Sequence, residues 1–248
     1  MLPILNIAAY KFVDLDQLER LRDELRARCV AGALKGTILL APEGINLFLA
    51  GAASAIETFL TALVADSRFA GIDVKRSESA DRPFRQLRIK IKPEIVTLGV
   101  PGIEPAHRPA PRISARELKA KLDAGEPVIL LDTRNQFEVD IGSFREAVSL
   151  GLGAFSELPQ RAREMPETTR QVTIVTFCTG GIRCEKAAPL LKEMGYRDVR
   201  QLDGGILRYF EDCGSAHFDG ACFVFDDRIA LDARLQPVAP TTTEARTR

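Results

Sequence analysis

The sequence predicts an α/β protein of two units, an α+β unit followed by a unit built on a central parallel sheet. Three observations support this class. Strand and helix patterns run in the order β-α-β-β-α-β up to residue 92, and a second series alternates strand with helix from residue 113 to 207. Between them lies a proline-rich linker, residues 93–112. The 248 residues of the chain are enough for two ordinary domains.

Composition narrows the class of protein further. Hydrophobic residues make up 46% and charged residues 27%, values typical of a soluble globular protein. No apolar run is long enough to span a membrane, and no signal-peptide pattern is present. The five cysteines are scattered, which argues against a disulfide framework and predicts a cytoplasmic location. Because the formal net charge is zero, nucleic-acid binding would require a local basic patch.

The first unit, residues 1–92, has five strand patterns and two amphipathic helix patterns. The predicted strands are residues 4–13, 36–40, 45–50, 73–77 and 87–91. The first helix begins at Asp14, is capped by Asp14 or Asp16 and ends before Gly32; the second covers residues 54–66. The first four strands and the two helices follow the order of a ferredoxin-like βαββαβ arrangement, which many functions share.

The end of this unit is strongly basic. Three cations alternate with aliphatic residues in the last strand, Arg88, Lys90 and Lys92, so they share one face. A face of this kind fits contacts to phosphates. It also fits a solvated strand whose charges discourage edge pairing. The candidate RNA-binding residues are Arg82, Arg85, Arg88 and Lys90.

The second unit, residues 113–212, opens with a capping pattern at Ser114 and Glu117. The alternation of strands and helices predicts a parallel sheet, and ligands of such sheets lie at the carboxyl ends of the strands. Residues 213–248 form a C-terminal extension. Its end, from Pro237, is rich in Thr, Ala and Pro and is predicted to be disordered.

A cysteine stands at one of these strand ends. Residues 172–177 are an apolar strand, and a helix pattern starts at Ile182. The intervening backbone presents unpaired N–H groups, and the helix dipole favours negative charge there. Arg183 adds a cation, and the thiol of Cys178 should ionise below the usual pKa of about 8.5. We call the following segment the cysteine loop: Cys178, Thr179, Gly180, Gly181, Ile182 and Arg183.

This pattern predicts that Cys178 is a nucleophile and Arg183 its partner. The alternative is a buried structural cysteine, since cysteine is among the most buried residue types. Asp132 and Arg134 lie at the end of an earlier strand and are predicted to support the site. Asp132 is predicted to connect that strand to the cysteine loop, and Arg134 to reach the substrate.

The other cysteines allow alternatives. Cys184 could resolve an oxidised Cys178 or pack against the sheet. Cys213, His217 and Cys222 have a spacing similar to that of zinc ligands. A clear fourth ligand is lacking, so no metal site is predicted.

The cysteine loop is similar to the active-site loop of rhodanese-type sulfurtransferases. Residues 128–134 (VILLDTR) and 195–205 (GYRDVRQLDGG) resemble that family's flanking segments, and Ser143 stands where histidine is usual. The loop has six residues, as suits sulfur transfer, whereas the related phosphatases carry one more. The resemblance therefore implies a rhodanese-like α/β domain.

The combination of the two units indicates a more specific family than the cysteine loop alone. With FCTGGIRCEKA, LDGGI and FVFD, residues 1 to about 235 resemble the bacterial tRNA uridine(34) hydroxylase family, although no cysteine-rich tail follows FVFD here. The resemblance implies hydroxylation of the wobble uridine at C5 to give 5-hydroxyuridine. It implies a persulfide-forming Cys178, the tRNA anticodon stem-loop as partner, and molecular oxygen as co-substrate; no cofactor is evident and the reductant is unknown. Two alternatives remain: a sulfurtransferase using a Cys178 persulfide, and a non-enzymatic RNA-binding module.

Overall fold

A computed structural model describes residues 3–238 and divides the chain into two units between Thr97 and Leu98. The first unit has a five-stranded sheet. Its strands are β1 (Ile4–Phe12), β2 (Lys35–Ala41), β3 (Gly44–Gly51), β4 (Val74–Ser79) and β5 (Leu87–Ile91). Its helices are α1 (Leu18–Ala31), α2 (Ala53–Val64) and a short 3-10 helix (Ser67–Phe69).

The sheet order β4-β1-β3-β2-β5 confirms the ferredoxin-like prediction. The first four strands form the antiparallel sheet of that fold, and β5 adds to the edge of β2 in parallel. One sheet face packs against the two helices, where Leu25, Leu47 and Phe59 are buried. Burial of this apolar face stabilises the unit and fixes the register of the strands.

The start of α1 differs from the prediction. The helix begins at Leu18 rather than Asp14, and its N-cap is Gln17 in the left-handed region, with no side-chain capping bond. The reason lies in the backbone before it, where the N–H groups of Val13 and Leu15 donate to carbonyls of the β2–β3 turn. These two bonds hold residues 13–15 against the turn, and the helix begins only after them.

The second unit is built on a parallel sheet. Its strands are β6 (Arg112–Ile113), β7 (Val128–Asp132), β8 (Gly142–Phe144), β9 (Val148–Ser149), β10 (Thr173–Phe177), β11 (Val199–Leu202), β12 (Phe218–Gly220), β13 (Cys222–Phe223), β14 (Ala230–Leu231) and β15 (Pro237–Val238). Its helices are α3 (Ala115–Asp123), α4 (Gln136–Val139), α5 (Leu158–Arg163), α6 (Ile182–Glu193) and α7 (Gly205–Cys213), with 3-10 helices at Phe155–Glu157 and Glu167–Gln171. The order β6-β11-β10-β7-β9, parallel throughout, confirms the predicted sheet.

The position of β10 in this sheet decides where the cysteine loop lies. β10 is the central strand, with β11 on one side and β7 on the other. Its side chains are buried on both faces, as expected for a strand covered by helices on both sides. The loop that follows β10 therefore lies at the middle of the carboxyl edge.

The C-terminal extension is ordered over most of its length. β12 pairs with β8, and β13, β14 and β15 form a small antiparallel sheet. The disorder predicted from Pro237 is wrong for Pro237 and Val238, because both pair with β14. The rest of that segment, residues 239–248, lies outside the described residues. None of the helices in residues 3–238 combines the length and the apolar character that a membrane span requires.

Candidate active site

Cys178 lies directly after β10, where the chain turns into α6. Its side chain is 1% exposed, and its Sγ accepts a hydrogen bond from the backbone N–H of Gly181 at 3.1 Å. Gly181 has a φ of 102°, which L side chains rarely adopt, and this lets the N–H turn back toward the sulfur. The strand-loop-helix arrangement confirms the prediction from sequence, and it places the sulfur at the positive end of α6.

The surroundings of Cys178 favour its thiolate. Burial raises the pKa of this thiol. A hydrogen bond from Cys184, the charge of Arg183 and the backbone N–H groups of Arg183 and Gly181 outweigh that effect and lower the pKa from 9.0 to about 6. A buried cysteine without such donors would have a raised pKa, as Cys29 does. At neutral pH the side chain of Cys178 is therefore a thiolate, and the thiolate is the nucleophilic form of cysteine.

Cys184 lies in the first turn of α6 and is fully buried. Thr133 Oγ1 lies 3.7 Å from its Sγ. Burial and the neighbouring Cys178 raise the pKa of Cys184 well above its usual value, so this residue keeps its proton and donates it toward the Cys178 sulfur. Of the two sequence alternatives, packing against the sheet is observed, and resolution of an oxidised Cys178 stays a prediction.

Arg183 is held by a partner that sequence reasoning missed. Its two terminal nitrogens donate to the carboxylate of Glu138, at 2.8 and 3.2 Å, and Arg183 is 8% exposed. Glu138 also accepts from the backbone N–H of Asn135, which caps α4. A forked pair of this kind fixes the plane of the guanidinium. The signal was present in the sequence, since Asn135 and Glu138 have the spacing of a capping box.

Arg134 does not reach the substrate, which corrects the prediction. Its side chain is fully buried and donates to Asp132 at 2.9 Å and to the carbonyl of Gly142 at 2.7 Å. Asp132 also accepts from the hydroxyl of Ser143 at 2.8 Å. The pair thus ties the end of β7 to β8. The predicted tie of Asp132 to the cysteine loop stays a prediction.

The N-terminus of α7 supports the loop from behind. The N–H groups of Ile206 and Leu207 donate to the carbonyls of Cys178 and Thr179, at 3.0 and 3.1 Å. A Cβ on Gly205, whose φ is 66°, would lie 2.4 Å from the Cys178 carbonyl oxygen. Only glycine allows this approach. With the loop carbonyls bound to α7, the amide groups of the loop remain directed at the sulfur.

The remaining loop residues are half-buried: Thr179, Gly180 and Ile182. The Thr179 hydroxyl donates to the carbonyl of Phe223 at 3.3 Å, which ties the loop to β13. No atom lies within 4 Å of a Cβ placed on Gly180. The open side of the cysteine loop is therefore at Gly180.

The predicted basic residues lie in the first unit, whereas Cys178 lies in the second. All four candidates are exposed: Arg82, Arg85, Arg88 and Lys90. Ile89 between the last two is buried, which confirms the predicted alternation along β5. Arg88 and Lys90 thus project from the sheet face opposite the helices.

The three residues with zinc-like spacing are not grouped as ligands. His217 bonds to Asp123 at 2.7 Å, Cys222 is buried in β13, and Cys213 is half-buried at the end of α7. Among residues 3–238, no three His, Cys, Asp or Glu side chains are placed to hold a metal ion.

Each of the two units matches a known protein family. Residues 4–95 match the UPF0176 acylphosphatase like domain, and residues 114–212 match the rhodanese-like domain. Among solved structures, the rhodanese-like domain of the Anabaena sp. Alr3790 protein is 25% identical with a TM-score of 0.39, covering 44% of this chain and 79% of that one.

Two curated relatives extend over nearly the whole chain. The tRNA uridine(34) hydroxylase of Bordetella avium is 52% identical over 95% of this chain and 99% of its own length. That of Cupriavidus necator is 50% identical over 96% of this chain and 86% of its own. Identity at this level across both units shows that the chain belongs to the tRNA uridine(34) hydroxylase family.

Proposed function

We propose that this protein hydroxylates C5 of the wobble uridine, position 34, in tRNA to give 5-hydroxyuridine. Cys178 is the catalytic cysteine, molecular oxygen is the co-substrate and an external reductant supplies electrons. The observation that carries the proposal is the stabilised Cys178 thiolate in a chain of this family. A tRNA substrate implies that the protein acts in the cytoplasm.

The site supplies what the reaction requires of a nucleophile. The Cys178 thiolate, or a persulfide made on it with sulfane sulfur from a donor such as thiosulfate, adds to C6 of the uracil ring, and this makes C5 nucleophilic. C5 takes one oxygen atom of molecular oxygen, and two electrons from the external reductant with two protons convert the other oxygen atom to water. Loss of the C5 proton then expels the sulfur from C6 and restores the C5–C6 double bond. The N–H of Gly181 and the charge of Arg183 hold the negative charge before addition and after release. Glu138 keeps Arg183 in one orientation, so this stabilisation requires no rearrangement during the reaction.

The wobble base is accessible without opening a duplex. It lies in the single-stranded anticodon loop, so it can be splayed out at little cost. We propose that Arg82, Arg85, Arg88 and Lys90 contact phosphates of the anticodon stem-loop. The support is that all four are exposed cations, two of them on one sheet face.

The first test concerns the modified nucleoside in cells. tRNA from cells lacking this protein is analysed by mass spectrometry after complementation with wild type, Cys178→Ala or Cys213→Ala. The last variant is the control, because Cys213 is half-buried and distant in sequence from the cysteine loop. We expect 5-hydroxyuridine to return with wild type and with Cys213→Ala only. Its return with Cys178→Ala would refute the role of Cys178.

The second test concerns RNA binding. Arg88→Ala with Lys90→Ala should weaken binding of tRNA and reduce the slope of log affinity against log salt by about two. The matched control is Arg20→Ala with Arg26→Ala, which removes the same charge from exposed positions on α1. Equal salt slopes in both double variants would refute the phosphate contacts.

A second candidate function follows from the same sulfur. A loop that aims N–H groups at Sγ also suits a stable persulfide, as a thiosulfate sulfurtransferase requires. This function predicts transfer from thiosulfate to cyanide by the wild type and none by Cys178→Ala. Turnover of thiosulfate without 5-hydroxyuridine formation would favour the sulfurtransferase over the hydroxylase.

A further inference from the structure

Two exposed aromatic side chains lie beside the cysteine loop. Within residues 3–238 the large hydrophobic side chains that are exposed are three valines and two phenylalanines, Phe137 at 38% and Phe225 at 48%. Exposing an aromatic ring to water forfeits a large hydrophobic gain, so a pair of them at one place calls for an explanation.

The two rings are joined by a third. Phe223 packs edge-to-face against Phe137, with ring centres 5.2 Å apart, and against Phe225, with ring centres 4.9 Å apart. We call these three residues the aromatic cluster. Edge-to-face packing of this kind holds rings in a fixed mutual orientation.

The aromatic cluster is attached to the cysteine loop at two points. The Phe225 ring lies against the guanidinium of Arg183, with the Arg183 Cζ 5.5 Å from the ring centre. The carbonyl of Phe223 accepts from the hydroxyl of Thr179. A group resting on the Phe225 ring is therefore a neighbour of the loop that carries Cys178.

The exposure of Phe225 is built into its backbone. The preceding residue, Val224, is buried, and its N–H donates to the carbonyl of Ile229 at 2.8 Å. After Phe225, Asp226 and Arg228 form a half-buried ion pair through two hydrogen bonds, at 2.8 and 2.6 Å. The turn is thus fixed on both sides of the ring.

We propose that the aromatic cluster is a nucleobase-binding platform, on which the target pyrimidine of a single-stranded RNA stacks against Phe225. A flat ring flanked by a guanidinium is what proteins use to hold an unpaired base, because every base has a π-face. The inference deepens the proposed function, since it takes RNA as the ligand. Phe225 binds and orients the base, and selection of uracil over cytosine lies elsewhere.

The chain itself offers a direct probe of stacking. It contains no tryptophan, so Phe225→Trp introduces a single indole at the platform. Its fluorescence is measured with a synthetic anticodon stem-loop RNA carrying uracil at position 34, and with the same RNA lacking that base. We expect quenching by the first RNA and little by the second. Val64→Trp, on an exposed position of α2, is the control, and it should not distinguish the two RNAs.

Affinity provides the second measurement. Phe225→Leu keeps an apolar side chain but removes the π-face, and we expect it to weaken binding of the uracil RNA roughly ten-fold or more. Phe225→Tyr should restore binding. The rate of Cys178 alkylation by iodoacetamide should be the same in both variants. If Phe225 instead supported the structure of the cysteine loop, its replacement would change this rate.

Failure of the platform is distinguishable from failure of the proposed function. If the wild type forms 5-hydroxyuridine while Phe225→Trp does not distinguish the two RNAs, the platform is refuted and the hydroxylase stands. If quenching depends on the base but the wild type forms no product, the hydroxylase is refuted and the platform stands. Equal affinities of wild type and Phe225→Leu would refute the platform in either case.

Discussion

Replacing Cys184 tests how the site stabilises the Cys178 thiolate. Cys184 is buried beside that sulfur, and a hydrogen bond from its thiol contributes to the lowered pKa of Cys178. A hydrogen bond to a charged group is worth about 1.5–3 kcal/mol. Since about 1.4 kcal/mol corresponds to one pKa unit, Cys184→Ala should raise the pKa of Cys178 by about one to two units.

The assay is alkylation by iodoacetamide across a pH series, with Cys178 followed by peptide mass spectrometry because the chain has five cysteines. In the wild type the rate should reach half its maximum near pH 6, the pKa to which Cys178 is lowered. In Cys184→Ala this midpoint should move to about pH 7–8. The midpoint is preferable to a single rate, because the intrinsic nucleophilicity of a thiolate also changes with its pKa.

Two variants complete the experiment. Cys184→Ser keeps a hydroxyl donor of nearly the same shape, so its midpoint should stay close to that of the wild type. Cys29→Ala removes a buried cysteine of the first unit and should change nothing. If Cys184→Ala has the wild-type midpoint, Cys184 does not stabilise the thiolate, and the reasoning about this pair is wrong.

Three further predictions concern the support of the cysteine loop. Glu138→Ala leaves the buried Arg183 without its carboxylate, and the free energy of unfolding measured with urea should fall by about 3–5 kcal/mol; an unchanged value would show that the pair contributes nothing. Gly205→Ala should slow Cys178 alkylation at pH 7 by displacing the loop, whereas Gly151→Ala, which also has a positive φ but an open Cβ position, should not. Because Cys178 ionises near pH 6 when folded and near 9.0 when unfolded, the unfolded chain binds more protons between these values. The stability of the wild type relative to Cys178→Ser should therefore rise with pH across this window and be lost as the pH falls through 6; a pH-independent difference would contradict the lowered pKa.

Local pattern was sufficient to predict much of this protein. The apolar strand that ends at Cys178 and the helix that starts at Ile182 depend on neighbouring residues, so they could be read from the chain. The same is true of β5, where alternation alone indicates that Arg88 and Lys90 share an exposed face. The start of α1 could not be predicted in this way, because Val13 and Leu15 are bonded to a turn almost thirty residues away.

The limit of prediction from sequence is clearest for the charged residues. Arg134 follows a strand that ends at the same edge as the cysteine loop, and from sequence it was expected to reach the substrate. The fold instead surrounds its guanidinium with Asp132 and the Gly142 carbonyl, because a buried cation must find acceptors wherever the chain supplies them. Glu138 was missed for the same reason, since its partner Arg183 is distant in sequence.

The two units, the order of their elements and the candidate nucleophile could be predicted from the chain, because they follow from periodicity and from residues within one loop. Which distant side chains support that loop depends on the folded structure. It brought Glu138 to Arg183, the α7 N-terminus to the loop carbonyls and Phe225 to the loop's edge. These contacts join elements that are separate in the chain, and their geometry is set by packing rather than by local preference.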